Sequence, residues 1–144
     1  MKVESSLNLN HEKNIFLYDG EKTIITTESN YANLLVVKSV NKHISIGAFT
    51  DYTHSTYSNL KSGISFLPAI EYNIFPYSEA NDHQLRFLYG IGNQYNNYID
   101  TTIFFKTTEN YFFQELSVNY ESIQKWGSID IGLQSKDLFL PGNK

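Results

Sequence analysis

The chain has no cysteine, a single arginine, only four alanines and no long apolar run. Each shortage excludes something. Without cysteine there is neither a disulfide framework nor a thiolate metal site. With Arg86 as the only arginine and a formal net charge of −4, there is no basic stripe to neutralise phosphates, which excludes nucleic-acid binding. Alanine at Ala32, Ala48, Ala69 and Ala80 alone argues against helices. A run of about 18 apolar residues is missing, so no helix spans a bilayer. The opening MKVESSLNLN lacks the apolar region of a signal peptide. A membrane location survives all of this, because transmembrane β-strands are apolar only at alternate positions and read as soluble by mean hydropathy.

What is abundant points to strands. The 144 residues include 11 Tyr and 10 Phe, with many Ile, Ser, Thr and Asn. Aromatic and β-branched residues suit a pleated surface with one apolar face. The length fits one domain over residues 1–144. An all-β class follows.

The clearest stretch is Glu71 to Gly92, read as strand, turn, strand. Before the turn, Leu60, Ile64, Phe66, Ile70, Tyr72 and Ile74 share one parity, and Lys61, Gly63, Ser65, Glu71 and Asn73 the other. After it, Leu85, Phe87, Tyr89 and Ile91 alternate with Gln84, Arg86, Gly90 and Gly92. Period two puts one set on each face. Pro76, Ser78, Asn81 and Asp82 supply the turn between them. Upstream, strands are expected over Lys2 to Leu17, Thr23 to Lys38 and His43 to Thr53, with turns at Asp19-Gly20 and Val40-Asn41-Lys42. In the third of these, Ile44, Ile46, Ala48, Thr50 and Tyr52 face one way, and Phe49 is the one apolar exception on the other side. A polar tip spans His54 to Asn59. Downstream, alternation fades over Ile99 to Thr108, resumes from Tyr111 to Ser122, turns at Gln124-Lys125 and returns at Ile129 to Leu133; Ser135 to Lys144 reads as a tail.

The result is an antiparallel up-and-down meander of about seven to eight strands, several longer than the usual five or six residues. A tilted bilayer-crossing strand needs about 9–11, so length favours part or all of a transmembrane-type barrel. Gly47, Gly63, Gly90, Gly92 and Gly132 fall on the polar parity, as a crowded or wet lumen requires. Aromatics gather near the expected strand ends: Tyr52, Tyr57, Tyr72, Phe75, Tyr77, Tyr95, Tyr98, Tyr111, Phe113 and Trp126. Rings of this kind form girdles at the two membrane interfaces.

The phrases LPAIEYNIFPYSE, HQLRFLYGIG, TTIFFKTTEN and QKWGSIDIGL, together with LVVKSVNKHISIGAF, resemble an uncharacterised family of bacterial outer-membrane β-barrel proteins. The resemblance covers roughly Tyr31 to Leu133 and is most specific at YN-x-FPYSE and WGS. It implies a Gram-negative outer-membrane location, lipid and the barrel assembly machinery as partners, and a full protein with an export signal and further strands. On that implication the chain is expected to be a fragment of a larger barrel or a degenerate short relative, since bacterial single-chain barrels have even strand numbers. The family has no catalytic position to carry over.

Chemistry is sparse. His11, His43, His54 and His83 lack metal-ligand spacing. Asp82-His83 reads as a turn aspartate followed by a solvated histidine, since no nucleophile phrase accompanies it. Gly90-Ile91-Gly92 sits inside a strand and opens no helix, so it is not a nucleotide loop. Glu71 and Arg86 lie on the polar parity at similar distances from the 75–82 turn, and Glu121 shares their face, predicting a lumenal charge cluster. The expected function is a non-enzymatic outer-membrane barrel, scaffold or pore-like, without cofactor or metal. The alternative is a soluble lipocalin-like or β-sandwich module binding a small apolar ligand.

Overall fold

The computed structural model describes residues 1–18, 21–76 and 83–139. Their strands are β1 (Lys2–Tyr18), β2 (Glu21–Ser39), β3 (Ile44–Ser55), β4 (Leu60–Asn73), β5 (His83–Tyr98), β6 (Thr108–Gln124) and β7 (Gly127–Phe139). They form one seven-stranded sheet in sequence order, every neighbouring pair antiparallel, with no helix among the described residues. The sheet curls into a half-barrel. Strands of 12 to 19 residues are well beyond the ordinary strand.

Alternation sorts the faces as the residues dictate. Ser45, Gly47, Ala69, Glu71, Arg86, Leu88, Ser117 and Asn119 line the concave side. Ile46, Ile64, Phe66, Ile70, Tyr72, Phe87, Tyr89, Ile91, Leu116 and Ile131 are exposed on the convex side. Gly47, Gly63, Gly90, Gly92 and Gly132 fall on the concave parity, and among the glycines of the described strands only Gly127, the first residue of β7, does not. Gly47, Ala69 and Gly90 lie in one row across β3, β4 and β5. Removing side-chain volume from one face lets a sheet bend toward it.

Two inner side chains fill the space this creates. A Cβ on Gly90 would stand 2.6 Å from Leu67 Cδ1, and one on Gly92 2.5 Å from Phe113 Cζ. Leu67 and Phe113 therefore lie flat over bare backbone, 7 % and 2 % exposed, the only buried apolar side chains among the described residues. Beside them the β4–β5 register skips Leu67 and Pro68, resuming unchanged at Phe66↔Asn93 and Ala69↔Gly90. Pro68 has no N–H to give to the ladder.

The accessible surface is 10649 Å². A folded monomer of 16.6 kDa has about 7,600 Å², so this sheet shows roughly two-fifths more. One layer, with no second sheet or helix against it among the described residues, is the reason.

Connections divide by rim. Those after β2, β4 and β6 share the first rim, and those after β1, β3 and β5 share the second, as antiparallel succession demands. At the first rim Asn41 Oδ1 accepts from the His43 and Ile44 amides at 2.8 Å each. At the second, Asn59 takes a positive φ of 56° and ties two loops together: its Nδ2 donates to Asp100 O at 2.9 Å, and its Oδ1 accepts from Asp100 N at 2.8 Å.

Three boundaries differ from the sequence reading. The third strand runs to Ser55, leaving a turn at 56–59 rather than a tip from His54. The sixth begins at Thr108. The seventh continues to Phe139, through residues expected as tail, because β6 supplies a full partner edge up to Phe112↔Phe139. The Asp19-Gly20 turn lies outside the described residues, as do Ser78, Asn81 and Asp82 of the turn after β4.

Candidate functional site

Polar side chains from six strands converge on the concave face. It encloses a cavity of about 640 Å³ reaching from Lys2 and Glu4 on β1 to Gly132 and Gln134 on β7. Leu35, Val37, Phe49 and Leu88 give its wall apolar patches between the polar groups. Phe49, the exception in the alternation of β3, therefore faces this cavity.

Glu71 and Arg86 both line the cavity, as parity requires. They are diagonal neighbours: Glu71 stands opposite Leu88, and Arg86 opposite Asn73. Glu121 pairs with Gln84, two residues before Arg86, and so shares their face. The structure brings the three to one side without joining them, since no ion pair among the described residues includes Arg86. Glu71 Oε1 accepts a long bond of 3.4 Å from Ser45 Oγ. Glu115 also faces the cavity, and its register partner Lys136 instead holds its Nζ 3.8 Å from the Phe113 ring centre. A cation over an aromatic face is favourable, and here it caps a buried ring.

Toward the second rim the same face carries a hydrogen-bonded ladder. Gln94 Nε2 donates to Asn96 Oδ1 at 2.8 Å, and Tyr98 Oη donates to Glu109 Oε2 at 2.7 Å. Lys106 Nζ closes the run on Glu109 Oε1 at 3.3 Å. Across the sheet, Asp51 accepts from Tyr31 Oη and Ser65 Oγ, both at 3.0 Å. These side chains hold one another rather than pointing free donors into the cavity.

At the first rim, Asn73 is fully buried. Its Oδ1 accepts from the Phe75 and Leu85 amides at 3.3 and 3.2 Å, and its backbone N–H donates to His43 O at 2.7 Å. Sequence reading placed Asn73 on the polar parity but gave it no role. Only the meeting of β3, β4 and β5 at this rim shows that it is sealed.

The aromatic residues divide between faces. Tyr52 and Tyr95 stand outward near the second rim, and Tyr72 outward near the first, all at least 40 % exposed. Trp126 projects from the β6–β7 turn at 74 % exposure, and Tyr57 from the β3–β4 turn at 89 %. Tyr98 and Tyr111 do not join an outward ring: by register they share the inner face with Gln94 and Glu109. Phe113 is buried inside. Parity alone carried that signal, since Tyr98 is even like Arg86, and Tyr111 odd like Glu115. Phe75 packs edge-on against His83, with ring centres 4.2 Å apart. His83 is thus half-buried against a ring, not solvated. Tyr77 lies outside the described residues.

The remaining histidines sit apart. His43 meets Asn73 O through Nδ1 at 2.9 Å. His11 and His54 approach Glu28 from β1 and β3 at 3.1 and 3.9 Å, on the outer face near the second rim. Among the described residues no group of three or more His, Asp or Glu side chains is arranged to hold a metal ion. Comparison with protein-family models, with curated proteins and with solved structures finds no match.

Proposed function

We propose that the chain is part of an integral outer-membrane β-barrel of Gram-negative type, a scaffold or pore-like element without enzymatic activity, its convex face against lipid. The observation that carries this reading is the outer band. From Ile64 on β4 to Ile74 just past its end, and from Leu85 to Tyr95 on β5, the outward positions hold no charged side chain. Eleven residues at about 3.3 Å each, tilted near 45°, rise by roughly 26 Å, close to the apolar height of about 25 Å of such barrels. Charged groups on the outer face lie toward the rims instead, as with Lys38 beside Ile46, and Glu28 beside His11.

Energetics point the same way. In water an apolar side chain left exposed forgoes about 1.5–3 kcal/mol of burial. This sheet leaves Ile, Leu, Phe and Tyr side chains 37–57 % exposed over most of one face. Hydrocarbon removes that cost. An open sheet in lipid cannot stand alone, because the free edges of β1 and β7 would strand backbone N–H and C=O groups. Further strands are therefore part of the reading, with the barrel assembly machinery as the partner that would close them.

Partitioning tests it. The expressed chain is expected to require detergent and to migrate differently on a gel before and after heating. A chain that purifies from aqueous buffer as a monodisperse folded monomer would overturn the membrane reading in favour of a soluble ligand-binding module.

A further inference from the structure

Two buried side-chain nitrogens among the described residues have no acceptor in the protein: Asn73 Nδ2 and Arg86 Nε. They belong to residues directly opposed across β4 and β5. Buried polar groups are nearly always satisfied, and leaving one unmet costs about 1–3 kcal/mol, more when it is charged. Two on facing residues call for a common explanation.

The geometry of Asn73 fixes part of it. Its Oδ1 is engaged by the amides of Phe75 and Leu85, so the amide cannot flip to hide its NH₂ group. Arg86 lines the inner cavity, although its Nε is sealed. Its register partner on the other side is Asn119, a neutral side chain. A guanidinium presents a planar fork of donors that matches the two oxygens of a carboxylate, and Asn73, opposite Arg86 in the register, holds one more unmet donor.

We propose that Arg86 and Asn73 form a binding site, opening on the concave face, for the carboxylate group of a small molecule. Binding includes a turn of the flexible Arg86 side chain that brings Nε to the ligand and opens a way to Asn73 Nδ2, which is sealed in the structure. The neighbours set the charge preference. Glu71 and Glu121 share this face, and their repulsion grows with the charge of the ligand. A monoanionic carboxylate is therefore favoured over a phosphate dianion. The proposal does not rest on what covers the convex face, and it is tested in detergent or in buffer, whichever keeps the chain folded.

Because Arg86 is the only arginine, its Nε–Hε resonance assigns itself in a ¹⁵N spectrum of the full chain. Titration with acetate is expected to move that resonance saturably, and inorganic phosphate to do so only at about tenfold higher concentration. Arg86→Lys keeps the charge but removes the fork, and is expected to abolish the saturable response of the Asn73 and Leu85 amides. Asn73→Asp keeps the acceptor for both amides and supplies a carboxylate permanently, so it is expected to shift the Arg86 resonance without acetate and to block the titration. In a sample with dispersed β-sheet amides, the proposal is overturned by an Arg86 resonance that neither anion moves saturably. Phosphate binding as tight as acetate, or unchanged acetate binding in Arg86→Lys, overturns it equally.

Discussion

Gly92 is the position where one added side chain has most to disturb. Its Cβ would meet not only Phe113 but also Phe66 O at 2.9 Å, and backbone cannot step aside. Gly92→Val is expected to destabilise the fold by about 1–3 kcal/mol through overpacking, read as a lowered midpoint in urea. Gly127→Ala meets no atom within 4 Å; its cost comes only from a φ of 153°, which the extra methyl group makes strained. The pairing of Gly92 with Phe113 was half legible in the sequence. Glycines on the polar parity announced a crowded interior, and Phe113 is odd like Glu115 and Ser117, so parity put it on that face; that its ring would cover Gly92 depends on the register of β5 with β6. Asn73 is a similar case: its parity was readable, its burial was not.

At the scale of the strand, alternation located β3, β4 and β5 because a sheet with two different faces writes its period into the residues. It was silent on the second half of β7. There Gln134, Ser135, Lys136 and Asp137 are polar on both parities, and the strand is held by pairing with β6 rather than by a face of its own. The outward positions of the middle strands give a sharp test. Ile70→Arg and Leu116→Arg place a charge in the centre of the apolar band, where a bilayer would charge about 2–4 kcal/mol. Ser117→Arg, next along β6 but facing the cavity, is expected to cost far less. Both kinds of variant are compared by unfolding in the same lipid or detergent. Equal, small effects within about 0.5 kcal/mol are what a water-exposed surface gives, and they would count against lipid on the outer face.

For the whole molecule, the fold class and strand order were open to reading, since a meander needs only consecutive hairpins. The candidate site was legible as a face but not as a set of bonds. Glu71, Arg86 and Glu121 share the concave side, yet Arg86 enters no ion pair among the described residues, because register sets it opposite Asn73 and Asn119 rather than a carboxylate. The central claim concerns the solvent on the convex side. The absence of native cysteine allows single-cysteine spin labels without background. In reconstituted bilayers, labels at Ile46, Ile70, Phe87 and Leu116 are expected to be relaxed by oxygen, which concentrates in lipid, and labels at Ser45, Ser65 and Ser117 by a water-soluble nickel complex. Nickel accessibility equal on both faces would contradict the account.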